Sequence, residues 1–106
     1  MTMDVTLSAI GTVGTDVDFS GTDSYSYAHF RLACTPRLRR SGDWVDGETT
    51  WLNVRAAGRT AENVRDCVHK GDPVVVVGKL RAHVWTGADG ARRDRLVLEA
   101  ISIGHD

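Results

Sequence analysis

The chain has 106 residues, 42% of them hydrophobic and 25% charged, with a net charge of −1. That length makes one domain, large enough to bury a core and too small to divide, and the ordinary composition excludes a disordered chain. No stretch approaches the ~20 consecutive apolar residues that span a bilayer, and Met1 to Val5 carries neither a basic region nor an apolar run, so the expectation is a cytoplasmic protein with no secretory signal.

In chain order, Val5 to Gly14 reads as a first strand with Val5, Leu7, Ala9 and Gly11 on one side, and its two late glycines predict a bend. Asp16 to Asp23 is a polar turn. Tyr25 to Thr35 is a second strand, with Ala28, Phe30, Leu32 and Cys34 facing in and Tyr27, His29 and Arg31 facing out. Residues 36–48 form a long basic connection punctuated by Gly and Asp, and long connections in compact domains are often functional. Thr49 to Ala57 is a third strand, with Leu52, Val54 and Ala56 inward and Trp51, Asn53 and Arg55 outward.

Gly58 breaks that strand, and Thr60 is the expected N-cap of a helix of roughly ten residues with Ala61, Val64, Cys67 and Val68 as its apolar stripe. Gly71 and Pro73 end it. Pro73 to Thr86 is a fourth strand in which Val74, Val76, Leu80, Ala82 and Val84 alternate with Val75, Val77, Lys79, Arg81, His83 and Trp85. Four consecutive valines predict cover on both faces, from the barrel and its helix or from a second subunit. Residues 87–90 are a hairpin turn. Ala91 to Gly104 is the fifth strand, with Arg93 and Arg95 near the tip and Leu96, Leu98 and Ile101 packing lower down.

Charge is unevenly distributed. Residues 1–30 hold Asp4, Asp16, Asp18 and Asp23 and no Lys or Arg, whereas residues 31–40 hold Arg31, Arg37, Arg39 and Arg40 and no acid. Field shape, more than net charge, guides a polyanion to one surface. Cys34 and Cys67 are expected as free, buried thiols in a reducing compartment. No metal-ligand spacing, nucleophile elbow or phosphate loop is present, and Asp89 with Asp94 lacks an apolar pocket, so neither an enzyme nor a cofactor is expected.

The functional signal is an interleaving. Successive strand residues point to opposite faces, so Lys79, Arg81, His83 and Trp85 line one surface, and Trp51 and Arg55 line another. Cations meet phosphates and flat rings stack on unpaired bases of any identity. Trp44 is expected to anchor its own loop, and His29, His69 and His105 to be structural. Three strands, a short helix and two strands predict an all-β, five-stranded Greek-key barrel of the OB-fold type, plugged by the helix between strands three and four.

The residues also match a family. Ala28-His-Phe-Arg-Leu-Ala33 with Thr35-Pro-Arg, Ser41-Gly-Asp-Trp-Val-Asp-Gly47, Trp51-Leu-Asn-Val, Ala61-Glu-Asn-Val64, the run from Lys70 to Leu80, and Trp85-Thr-Gly-Ala-Asp-Gly90 leading into Arg93 resemble bacterial single-stranded DNA-binding proteins of the actinobacterial kind, in order and over the whole of residues 1–106. The resemblance implies a domain that coats single-stranded DNA in replication, recombination and repair, as a homotetramer in the cytoplasm at the nucleoid. It implies base stacking on Trp51 and Trp85. It also implies phosphate-facing roles for Arg31, Arg55, Arg59, Arg81, His83 and Arg93, to which the charge pattern adds Arg37, Arg39, Arg40 and Lys79.

Two departures stand out. Ala57 and Leu38 occupy places where relatives carry aromatics, which predicts weaker binding, and the acidic tail by which many members recruit repair enzymes is expected to be missing after Asp106. Two other readings remain open from the sequence: a protein-interaction module docking on Trp51 and Trp85, and an RNA-binding cold-shock-like barrel.

Overall fold

The computed structural model describes residues 3–22 and 24–106; Asp23, at the end of the expected polar turn, lies outside the described residues with Met1 and Thr2. The elements are β1 (Val5–Val13), β2 (Asp18–Gly21), β3 (Ser26–Cys34), β4 (Arg37–Arg40), β5 (Asp43–Asp46), β6 (Thr50–Ala57), α1 (Gly58–Cys67), β7 (Pro73–Thr86) and β8 (Arg92–His105). The five expected strands are β1, β3, β6, β7 and β8. The other three are short strands in the two stretches read as a turn and a connection.

Neighbouring strands run β1-β7-β8-β6-β3, and β1 also pairs with β3. β1 partners β7 from Val5 to Thr12 and β3 at Thr12 and Val13, so one strand serves two neighbours and closes the barrel. Closure removes the open edges that a flat five-stranded sheet would expose. The β6–β8 pairing is parallel and the others are antiparallel. This is the OB-type barrel expected, with α1 between β6 and β7. Gly11 belongs to the crossing, where an added Cβ would lie 2.5 Å from the Ala33 carbonyl oxygen.

Period-two alternation fills the interior. Val13, Phe30, Leu32, Val54, Val74, Val76 and Leu98 are buried, and Ala61, Val64 and Val68 close one end from the helix side. Val75 and Val77 point outward and are half-buried, beside exposed Ile10.

The structure corrects several expectations. The register of β7 against β8 slips between Val77 and Gly78, so that Val77 faces Ser102 and Gly78 faces Ala100, leaving Ile101 over. Such a bulge turns the strand by one residue. Leu98, Ala100 and Ile103 therefore all pack on the core despite their mixed parity, while Ile101 is exposed. Leu96, Ala82 and Val84 are exposed for another reason. β6 pairs with β8 no further toward its start than Val97, but β7 and β8 continue together to Thr86 and Arg92. Their ends form a two-stranded arm with no core beneath it.

The helix begins at Gly58, where φ is +62°, and its N-cap is Ala57 with no side-chain cap. Thr60 is thus inside the first turn and is not the N-cap expected, because the left-handed turn at Gly58 starts the helix earlier. At about 100° per residue, Cys67 falls at the edge of the stripe formed by Ala61, Val64 and Val68, and it is exposed rather than buried. Cys34 is half-buried against the core, and burial pushes its thiol pKa up.

Candidate nucleic-acid interface

Residues directly paired across a ladder share a face, and the pairings join most of the expected site into one surface. Outward from β3, Tyr27 faces Ala57, His29 faces Arg55, Arg31 faces Asn53 and Ala33 faces Trp51. The rows extend to β2, where Asp18 faces His29, and to β8 and β7 through Arg55–Glu99–Lys79 and Asn53–Val97–Arg81. On the arm, His83 faces Arg95 and Trp85 faces Arg93. Arg31, Trp51, Arg55, Lys79, Arg81, His83, Trp85 and Arg93 therefore lie on one continuous outer face of the sheet.

Both expected stacking residues are open to solvent, each 46% exposed. Trp51 is held by its surroundings. The Arg31 guanidinium lies 4.7 Å from the ring centroid, and the ring rests on Gly14, where an added Cβ would come 2.5 Å from Trp51 Cζ3. Gly14 in turn donates its backbone N–H to the Arg31 carbonyl at 2.8 Å. The bend expected at this glycine is thus a seat for an indole.

The remaining expected residues sit elsewhere. Residues 36–48 form a β-hairpin, β4–β5, turned by Ser41 (φ +52°) and Gly42 (φ +85°), the two left-handed residues of a tight two-residue turn. Arg37 and Arg39 share a face with Trp44, 5.4 and 5.6 Å from its ring, while Arg40 lies on the other face with Leu38 and Val45. Trp44 organises its own loop, as expected, yet it is 57% exposed. Arg59, in the first turn of α1, lines a recess with Tyr25 and Glu62.

The cations fall into two electrostatic groups. Lys79 and Arg81 are both paired with Asp4, at 3.3 and 3.2 Å, Arg81 also reaches Glu99 at 3.0 Å, His83 meets Glu99 at 2.9 Å, and Arg93 meets Asp89 at 2.9 Å. Desolvation opposes ionisation of Asp4, but hydrogen bonds from Arg81 and Lys79 outweigh it and hold the carboxyl below its usual range. The His83 hydrogen bond, against some desolvation and with Arg81 adding, holds Glu99 low as well. In contrast, among the described residues no carboxylate pairs with Arg31, Arg37, Arg39, Arg40, Arg55, Arg59 or Arg95. Five of these lie over rings instead: Arg31 over Trp51, Arg37 and Arg39 over Trp44, Arg55 over Tyr27 at 4.2 Å, and Arg95 over Trp85 at 5.7 Å. A guanidinium stacked on a ring keeps its donors for a phosphate, whereas a paired one must first release its carboxylate.

Sequence reasoning missed Tyr25, Tyr27 and Arg95. Tyr27 lies across from Ala57, beside the position where an aromatic was found wanting, and its ring centroid is 5.0 Å from that of Tyr25. The outward alternation of Tyr27 with His29 and Arg31 was the available signal. His29, expected to be structural, lines a recess of this face with Arg55 and Arg95. Burial, then Arg95, lowers its pKa, so the ring is neutral at pH 7. A recess of about 400 Å3 between α1 and β8 contains none of the expected site residues.

A family model described as the single-strand binding protein family matches residues 4–105. The chain belongs to this family. It is 36% identical over 107 aligned positions to a single-stranded DNA-binding protein of Paenarthrobacter aurescens, covering 98% of this chain and 63% of that one. It is 33% identical to one of Mycolicibacterium smegmatis, covering 98% of this chain and 65% of the relative. The chain thus spans slightly less than two thirds of these relatives' length. Among solved structures it is similar to a small single-stranded DNA-binding protein from Streptomyces coelicolor, with a TM-score of 0.85, 32% identity and coverage of 99% of this chain and 96% of that one. Members of the family are non-enzymatic, and the chain is not an enzyme. Among the described residues no helix is long and apolar enough to cross a membrane.

Proposed function

We propose that this domain binds single-stranded DNA, with little dependence on sequence, on the outer face that runs from Tyr27 through Trp51 to the β7–β8 arm. The observation that carries the reading is the alternation on that face of half-exposed rings with the guanidiniums of Arg31, Arg55 and Arg95, which no carboxylate among the described residues neutralises. Arg31, Arg55 and Arg95 capture phosphates, joined by Arg37, Arg39 and Arg40 of the hairpin and by Arg59. Bases then stack on Trp51 and Trp85, each contributing about 1–3 kcal/mol. Lys79, Arg81, His83 and Arg93 add to capture once their carboxylates yield. Counterion release makes the affinity fall with salt.

Within this reading the domain protects single strands during replication, recombination and repair, in the cytoplasm at the nucleoid. It works as a homo-oligomer, a tetramer by likeness to its family. The outward apolar side chains of Ile10, Val75, Val77 and Ile101 on β1, β7 and β8 are the surface a second copy would cover. The deciding experiment is a titration of tryptophan fluorescence with oligo-dT, oligo-rU and duplex DNA at two salt concentrations. Preference for oligo-dT, weakening with salt, supports the proposal; absence of quenching by any of them rejects it. That second outcome favours the other reading, a protein-docking module, for which the internal neutralisation of Lys79, Arg81, His83 and Arg93 is the observation in favour.

A further inference from the structure

Beside the tyrosine–arginine stack of Tyr27 and Arg55 is a recess of about 220 Å3 at the junction of β2, β3 and the arm, lined by Asp18, Tyr27, His29, Arg55 and Arg95 among others. Ligand pockets for whole small molecules run from about 300 Å3 upward. This recess therefore suits a single ring system. Arg55 and Tyr27 both line it, the guanidinium 4.2 Å from the ring centroid, and unpaired bases stack on guanidinium planes as they do on aromatic rings.

The polar groups of the recess differ from those of the rest of the face. Asp18 is a carboxylate, faces His29 directly across the β2–β3 ladder, and is in no ion pair among the described residues. The buried His29 Nε2 makes no hydrogen bond of good geometry, although the Asn53 side chain lies close enough to favour a proton on the ring, and a buried nitrogen so poorly satisfied gains from a better-placed polar partner. A phosphate beside Asp18 would be repelled. The exocyclic amine of a base would not, since carboxylates accept from cytosine N4. In cytosine and adenine that amine adjoins a ring nitrogen acceptor, which matches an acceptor at Asp18 beside a neutral imidazole donor at His29. Thymine presents a carbonyl in place of the amine, acceptor against acceptor.

We propose that this recess is a subsite for one unpaired base bearing an exocyclic amine, cytosine or adenine before thymine, held by Asp18 and His29 and stacked against Arg55. The inference rests on the single-strand binding proposed above and places a local bias on an otherwise sequence-tolerant surface. A hydrogen bond to a charged acceptor is strong enough to read in a binding ratio.

The test compares oligo-dC with oligo-dT of equal length, at mildly alkaline pH where cytosine is unprotonated, for the parent chain and for Asp18→Ala and His29→Phe. His29→Phe retains the ring and removes its nitrogens, so it reports if Asp18→Ala fails to fold. The expected result is that either variant lowers the ratio of dC to dT affinity about five- to tenfold relative to the parent. Equal changes for both oligonucleotides would show that Asp18 acts only by repelling phosphates, and would overturn the subsite while leaving single-strand binding intact. Failure of the parent to bind either oligonucleotide would overturn the subsite together with the function on which it rests.

Discussion

Tyr27 lies directly across the β3–β6 ladder from Ala57, with the Arg55 guanidinium 4.2 Å from its ring. A tyrosine on one strand thus stands beside the place where a ring is wanting on the next. The expectation of weaker binding counted the missing aromatics at Ala57 and Leu38, not this neighbour. Tyr27→Ala is expected to weaken binding to oligo-dT by about 1–3 kcal/mol, as much as Trp51→Ala or Trp85→Ala. Fluorescence titration measures this directly, and parent-like affinity in the tyrosine variant would restore the two-tryptophan picture.

Gly14 supports Trp51 through space and not through conformation, since an added Cβ would meet the far edge of the indole at 2.5 Å. A side chain that is half exposed can swing aside. Gly14→Ala should therefore move the indole out of its place over Arg31 and reduce both fluorescence quenching and affinity, with little change in melting temperature. A large loss of stability at unchanged affinity would show that the glycine serves the barrel alone.

The β4–β5 hairpin carries Arg37 and Arg39 over Trp44 with no carboxylate bound to either among the described residues. Each phosphate neutralised on a single strand contributes ~0.7 to the slope of log affinity against log salt. Replacing both arginines with Ala should lower that slope by about 1.4 if each meets one phosphate. An unaltered slope would remove the hairpin from the interface.

Glu99 holds His83 and Arg81 at 2.9 and 3.0 Å. Its carboxyl titrates below the ordinary value near 4.5, chiefly through the His83 hydrogen bond. A carboxyl whose pKa is depressed by folding stabilises the native state above its unfolded pKa, and that contribution fades as pH falls through the folded value. Melting temperature measured from pH 6 downward should therefore fall less steeply for Glu99→Gln than for the parent. The same substitution removes one of the two carboxylates that hold Arg81, Asp4 being the other, and takes a negative charge off this face, so oligo-dT affinity should rise at neutral pH. Parallel acid profiles, or no gain in affinity, would count against the role assigned to this pair.

The amino-acid order by itself determined the five main strands, the place of the short helix and the two-sidedness of every strand, because alternation with period two and breaks at Gly58, Gly71 and Pro73 are local properties of the chain. It also placed Trp51, Arg55, Arg81 and Trp85 on outward faces. Which of those faces join was decided only by tertiary structure, since the parallel β6–β8 pairing brings Arg55 beside Glu99, 44 positions away in sequence. The bulge at Ile101 reversed the parity of β8, and the overrun of β7 and β8 beyond β6 stripped Val84 and Leu96 of a core. The state of each cation was likewise undetermined until Asp4, Glu99 and Asp89 were in place. Local pattern fixes the side to which a residue points; long-range register decides its neighbour, and the neighbour decides whether a charge is available.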